Sequence, residues 1–217
     1  MRDGGDKVGI AGALMKRLHA PVYAARLREL VRQIVPHLRE GDRVLDVGCG
    51  YGAFGRAILD ADGCPPGIDV RGLERVKRGD ELIEVDAYDG TAIPYEDEAF
   101  DVVILADVLH HEADPARLIA DCARISRRLL VIKDHQRRGP LAWPRIALID
   151  WAANAPYGVP CLYRYNTPAE WTASHEQHGF TVETELTSMR LYPPLVNLVF
   201  GRRLQYMAFL RVNGDKA

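Results

Sequence analysis

The sequence predicts an α/β fold with a doubly wound, mostly parallel sheet, and three observations carry that prediction. Residues 44 to 55, Val-Leu-Asp-Val-Gly-Cys-Gly-Tyr-Gly-Ala-Phe-Gly, read as a buried strand running into a glycine-rich turn and then a helix. Further short apolar runs follow at 67–70, 82–87, 100–109 and 129–134. A strand, a helix and a strand in that order imply a right-handed crossover between parallel neighbours.

Along the chain, residues 8 to 19 and 21 to 39 have helical spacing, and Val22, Leu27, Leu30, Val31, Ile34 and Val35 form an apolar stripe. Gly41 ends this helical region. Val44, Leu45 and Val47 are the buried run of the first strand, and Gly48, Gly50 and Gly52 let backbone approach a ligand where a Cβ would clash. Residues 71 to 81 are short and polar, so a loop or a single turn is expected there. Asp114 caps a helix with Pro115 at its first position, and Leu118, Ile119, Cys122 and Ile125 mark its buried face. Residues 141 to 153 form another helix. Thr167-Pro168-Ala169-Glu170 is a capping box that makes 168–178 helical until Gly179. The alternating stretches 180–186 and 206–212 read as the last two strands, an antiparallel pair at the sheet edge.

At 217 residues the chain suits one domain that needs no disulfide or metal staple. The balance of 28 basic against 30 acidic residues gives no electrostatic case for nucleic acid as a partner. Arg-rich pieces at 124–128 and 136–138 are short and read as solvated turns. Cys49, Cys64, Cys122 and Cys161 lack metal-type spacing, which favours free thiols in a reducing, cytoplasmic compartment. The first residues do not form a secretion signal, and no apolar run approaches a membrane span.

The ligand is narrowed by charge. A pyrophosphate would be disfavoured by Asp46, two residues before the first turn glycine, whereas a sulfonium and an ammonium group suit it. Asp69 lies about twenty residues past the glycine turn, where a strand-end carboxylate takes two ribose hydroxyls as donors. Asp86-Ala87 ends the next strand, where a carboxylate accepts from an adenine amino group. Residues 100 to 111 then run from Phe100-Asp101 through Ala106-Asp107 to His110-His111.

With these elements in register, the chain resembles the class I S-adenosylmethionine-dependent methyltransferases, within the small-molecule branch called type 11 or quinone-methyltransferase-like. The resemblance runs from about Gly41 to His135 and more loosely beyond. It implies a Rossmann-like, seven-stranded, mostly parallel sheet with an antiparallel edge strand and N-terminal helices. It also implies S-adenosylmethionine as cofactor, S-adenosylhomocysteine as product, and a cofactor site of Asp46, Gly48, Cys49, Gly50, Gly52, Asp69, Asp86, Ala87, Ala106 and Asp107. On this reading residues 1–217 are one methyltransferase domain, with 1–40 as a helical cover, 41–135 as the cofactor half, and 136–217 as the acceptor-pocket half. Tyr23 is then a candidate to face the site. The chain departs from the family pattern at 71–81 and at Ile125-Ser126-Arg127-Arg128, where a basic turn replaces the family's Leu-Lys-Pro-Gly-Gly.

His111 and His135 are the candidate general bases, since a neutral imidazole suits proton transfer near pH 7. Asp134 adjoins His135, but neighbours on a strand point to opposite faces, which counts against that pair. His110, His111, Glu112 and Asp114 are set aside as metal ligands because adjacent histidines diverge, and His175 and His178 lie on a separate helix, so no metal is expected. Asn154-Ala155-Pro156-Tyr157 looks like an amino-methyltransferase signature but stands after the wrong element. The apolar and aromatic set Trp143, Ile146, Leu148, Ile149, Trp151, Tyr157, Val159, Leu162, Tyr163, Tyr165 and 191–200 suits a small apolar or aromatic acceptor. Rival readings are a tRNA or protein methyltransferase, a non-catalytic S-adenosylmethionine-binding domain and, less well, an NAD-dependent dehydrogenase. The acceptor's identity and the oligomeric state are left open.

Overall fold

Period-two alternation dictates a sheet with two buried faces, and the structure shows both. The computed structural model of the protein describes residues 10 to 155 and 159 to 212, with side chains from residue 20 onward. In β4 (Phe100–Ala106), Val103 and Leu105 turn to one side and Val102 and Ile104 to the other, and all four are buried. The first face carries α3 (Pro115–Ile125) and α5 (Pro168–Gln177) through Leu118, Ile119, Cys122 and Trp171. The second carries α1 (Ile10–Ile34) and α2 (Ala53–Leu59) through Leu30, Ile34, Phe54 and Ile58. Each such aliphatic side chain contributes roughly 1.5–3 kcal/mol by burial, so covering both faces drives the fold.

The seven strands add β1 (Arg43–Val47), β2 (Asp69–Glu74), β3 (Glu84–Ala87), β5 (Ser126–His135), β6 (Thr181–Leu186) and β7 (Gln205–Arg211). They lie in the order β3-β2-β1-β4-β5-β7-β6. β1 pairs in parallel with both β2 and β4, so the chain reverses its direction of growth at β1 and opens a crevice over the carboxyl ends of β1 and β4. β7 runs antiparallel to both β5 and β6, one place in from the margin. Two further helices, α4 (Ala142–Asn154) and α6 (Pro194–Phe200), follow β5 and β6.

Three expectations are corrected. The N-terminal helix is continuous from Ile10 through Pro21 to Ile34 instead of breaking near residue 20. β2 runs from Asp69 to Glu74, so the polar stretch after Val70 is half strand: Gly72 packs under Cys49 and Val85, and Arg71 pairs outward with Glu84. The segment 191–200, read only as apolar lining, contains α6. The residues before Ile10 and Pro156-Tyr157 lie outside the described residues.

The capping box forms as expected, with Thr167 Oγ1 accepting from the Glu170 N–H at 3.3 Å and Glu170 accepting from the Thr167 N–H at 2.6 Å. Thr167→Ala is therefore expected to destabilise the protein by about 1 kcal/mol, lowering the thermal midpoint by about 2–4 °C; a thermal melt followed by circular dichroism checks it.

Candidate active site

The loop after β1 is shaped to bring bare backbone into the crevice. Gly48, Gly50 and Gly52 have φ of 72°, 61° and 82°. A Cβ on Gly48 would lie 2.6 Å from Val108 Cγ2, and one on Gly52 would lie 2.5 Å from Ile83 Cγ1, so both positions need glycine twice over. Cys49 turns its thiol inward against Gly72, and burial pushes the thiol up to about 12. Asp46, at the end of β1, is 2% exposed and its Oδ2 has no partner. Burial pushes its carboxyl up to about 7 against the pull of Arg26.

Asp69 does not belong to this site. It is paired in register with Arg43 at the opposite end of the sheet, four residues before Leu73, which lies beside Val47. That distance is roughly 13 Å of strand. Its place at the carboxyl end of β2 is taken by Glu74, which sequence reading missed; Glu74 Oε2 accepts from the Gly50 N–H at 2.8 Å. The signal that could have found it was the continuation Arg71-Gly72-Leu73-Glu74, where alternation carries the strand four residues further. Ala87 ends β3 beside Glu74, and Asp86, one residue earlier, accepts from the Tyr95 hydroxyl at 2.6 Å.

Asp107 follows Ala106 at the end of β4 with φ 61° and sits between two cations. Arg26 of α1 donates to its Oδ2 through Nε at 3.0 Å and through a terminal nitrogen at 2.7 Å. Lys133 of β5, fully buried, donates to Oδ1 at 2.5 Å. Burial opposes ionisation of Asp107, yet Lys133 and then Arg26 hold its carboxyl well below the usual carboxylate range. Arg26 thus pins α1 over the crevice, and its guanidinium carbon lies 5.9 Å from the ring centre of Tyr23 on the same helix. Neither Arg26 nor Lys133 was legible as a site residue, because each is recognised only through Asp107.

Beyond Asp107, the one-turn segment Leu109–His111 presents two imidazoles. His110 is buried, and its Nδ1 donates to Asp134 Oδ1 at 2.6 Å. Burial disfavours its charged form, but Asp134 overrides this and pushes the ring up to about 10. His111 donates through Nδ1 to the Pro160 carbonyl at 3.0 Å, and burial followed by the neighbouring His110 lowers its pKa. Both Nε2 atoms turn toward Asp150 of α4, at 3.6 and 3.7 Å from Oδ1. His135 is buried, and burial and then Lys133 push it down to about 4, leaving it neutral but weakly basic. Asp134 serves His110, not the His135 side chain, in accord with the strand argument. Glu112 pairs with Arg75 at 2.7 Å, and Asp114 caps α3.

A cavity of about 120 Å³ lies among His110, Asp134, His135, Tyr165 and Trp171. Ile146, Tyr165 and Leu191 of the expected acceptor set are buried, whereas Trp143, Leu148, Trp151, Leu162, Tyr163, Leu195 and Leu198 are exposed. The Asn154 side chain donates to Asp150, not outward.

Comparison with known proteins places this geometry. A family profile described as "Methyltransferase domain" matches residues 19–185. The chain is 36% identical over 184 residues to the ubiquinone biosynthesis O-methyltransferase of Thiobacillus denitrificans, covering 73% of this chain and 72% of that protein. It is 32% identical over 111 residues to the 27-O-demethylrifamycin SV methyltransferase of Amycolatopsis mediterranei, covering 47% of this chain and 40% of that one. That match, and several to other ubiquinone biosynthesis O-methyltransferases, span about two fifths of the relatives' length. In fold, the chain is similar to the 1,6-didemethyltoxoflavin-N1-methyltransferase of Burkholderia thailandensis, with a TM-score of 0.62 at 17% identity over 97% of this chain and 92% of that one. The extent of the profile match, together with the strand order and the glycine turn, shows that the chain belongs to the methyltransferase-domain family, as a class I S-adenosylmethionine-dependent member.

Proposed function

We propose that the protein transfers the methyl group of S-adenosylmethionine to an oxygen or activated carbon of a small, largely apolar acceptor. The observation that carries this reading is the crevice over β1 and β4, where glycines a Cβ would obstruct stand beside the buried Asp46 with its unpartnered oxygen. Such a cradle fits an adenosyl ligand that brings positive charge and no phosphate. When bound, S-adenosylmethionine supplies a methyl on a sulfonium that is already a good leaving group.

The protein's own tasks are to bind, align and exclude water. Glu74 offers a carboxylate to the ribose hydroxyls, Asp86 and Ala87 flank the adenine edge, and Asp46 meets the cationic end. Asp107, held by Arg26 and Lys133, fixes the turn below the methyl position, and α1 covers it. His111, partly exposed and neutral at pH 7, is the group best placed to orient the acceptor or take its proton; His135 is too weakly basic for that role. Arg124, Arg127 and Arg128 spend their guanidinium groups on Asp97, Asp101 and Asp42, which supports a small molecule over nucleic acid as acceptor. No helix among the described residues is long and apolar enough to cross a membrane.

The test is calorimetric titration with S-adenosylhomocysteine beside NAD, followed by a screen of phenolic and isoprenoid acceptors with methyl-labelled S-adenosylmethionine. Binding of S-adenosylhomocysteine alone, with label transferred to an acceptor, supports the reading; NAD binding without S-adenosylhomocysteine competition overturns it.

A pH dependence follows from Asp46. Its pKa in the fold is raised to about 7, so its neutral form favours folding below the unfolded value and that contribution is lost as pH rises through 7. A cationic ligand needs the ionised form. S-adenosylmethionine affinity is therefore expected to fall as pH drops from 7.5 to 5.5, with a proton released on binding near pH 6.5. Titrations in buffers of different ionisation enthalpy detect that proton, and Asp46→Asn is expected to abolish its release.

A further inference from the structure

His111, to which the methyl-transfer reading gives the acceptor, meets two groups that this reading leaves without a role, His110 and Asp150. His110 donates its Nδ1 proton to Asp134, and His111 donates its Nδ1 proton to a main-chain carbonyl, which can only accept. In the neutral tautomers both Nε2 lone pairs are therefore bare, and both face Asp150 Oδ1. These three ligand atoms lie within 4.8 Å of one another, close enough to share one ion, and the charged form of His110 fills the space between them with a single Nε2 proton. A single proton on one ring relieves one such contact; a cation at their centre relieves all three.

The surroundings have the form of a metal centre's support. A ligating histidine gives its other N–H to a carboxylate or a carbonyl, and here Asp134 and Pro160 are those partners. Asp150 is itself held, its Oδ2 by the Tyr165 hydroxyl at 2.5 Å and its Oδ1 by Asn154 Nδ2 at 2.8 Å, with Cys161 Sγ at 3.6 Å from Oδ1. Charge agrees. Arg26 and Lys133 neutralise Asp107, so the positive charge that Asp134 and Asp150 call for is left to the His110 ring or to an ion that takes the place of its Nε2 proton. Tetrahedral ligands about 2.0–2.1 Å from zinc stand about 3.4 Å apart, so the two histidine-to-Asp150 separations of 3.6 and 3.7 Å need to close by only a few tenths of an ångström, while the two Nε2 atoms lie within 4.8 Å of each other.

We propose that His110 Nε2, His111 Nε2 and Asp150 Oδ1 bind one divalent transition-metal ion of the zinc type, and that its remaining position takes an oxygen donor of the acceptor. The second half rests on the methyltransferase reading and narrows the acceptor to molecules bearing a hydroxyl or carboxyl. The two histidines diverge along the backbone, but the helical turn at Leu109–His111 and the arrival of α4 bring their rings together 4.0 Å apart.

The test dialyses the full chain against a chelator, then titrates it with zinc chloride and measures bound metal by mass spectrometry. One equivalent bound by the parent protein, with affinity lowered at least tenfold in both His111→Gln and Asp150→Asn, is the expected result. No saturable binding, or equal binding by both variants as surface thiols would give, overturns the proposal. Should Asp150→Asn fail to fold by circular dichroism, the partly exposed His111→Gln decides alone. S-adenosylhomocysteine is titrated into the same samples. Zinc binding without it would sink the methyltransferase reading and keep the metal site, and the reverse would do the opposite.

Discussion

Glu74→Ala is expected to weaken S-adenosylhomocysteine binding by about 1.5–3 kcal/mol, roughly ten- to 150-fold, through lost hydrogen bonds to a charged carboxylate. Asp69→Ala, by contrast, is expected to leave that affinity unchanged. The pair separates two acids that look equivalent in sequence and lie at opposite ends of β2. Glu74 already accepts from the Gly50 N–H at 2.8 Å, so its removal also loosens the turn that the cofactor meets. Calorimetric titration of both variants checks the prediction, with a thermal melt to confirm that each is folded. Equal losses in both, or a loss only in Asp69→Ala, would return the ribose role to Asp69.

The second large effect concerns stability. Asp107→Asn keeps a side chain that tolerates the positive φ but removes the charge shared by Arg26 and Lys133. Stranding a buried cation costs about 3–5 kcal/mol, a fall in thermal midpoint on the order of 10 °C for a chain of this size. Because the Asp107 pKa is depressed in the fold, its contribution is present above the unfolded value and is lost as pH falls through the folded one. The difference between parent and variant should therefore shrink in acid. Urea unfolding at pH 7 and again below pH 3 measures it. A difference below about 1 kcal/mol at pH 7, in the range of surface pairs, would show the triad to be worth little.

Much of the fold was legible because burial and turn chemistry agree locally. The apolar run before Gly48, the Asp114-Pro115 helix start and the Thr167 capping box each carry their instruction within a few residues, and each forms where expected. β2 was misread because it lies near the sheet margin: Arg71 faces outward to a line of carboxylates and Gly72 shrinks to admit Cys49, so the apolar signal lapses mid-strand. The site was legible only where its residues share one loop. Asp46 and the glycines could be read directly, whereas Arg26 meets Asp107 across 81 positions and His110 meets Asp150 across forty, separations at which spacing says nothing. The aromatic set after β5 misled for a different reason. Hydrophobicity marks what can be buried, and α4 and α6 leave Trp143, Trp151, Leu195 and Leu198 at the surface.

The position of β7 has a consequence for how the molecule is made. β6 precedes β7 in the chain but touches the sheet only through it, since β7 lies between β5 and β6. During synthesis, residues 181–186 have no docking edge until 205–211 have emerged, and β5, whose backbone groups on that side are still unpaired, waits with them. The nascent chain thus holds an open sheet margin from the end of β5 at His135 to the end of β7 at Arg211, about seventy-five residues of translation, and closes it in a single late step, when one strand inserts and fastens both neighbours at once.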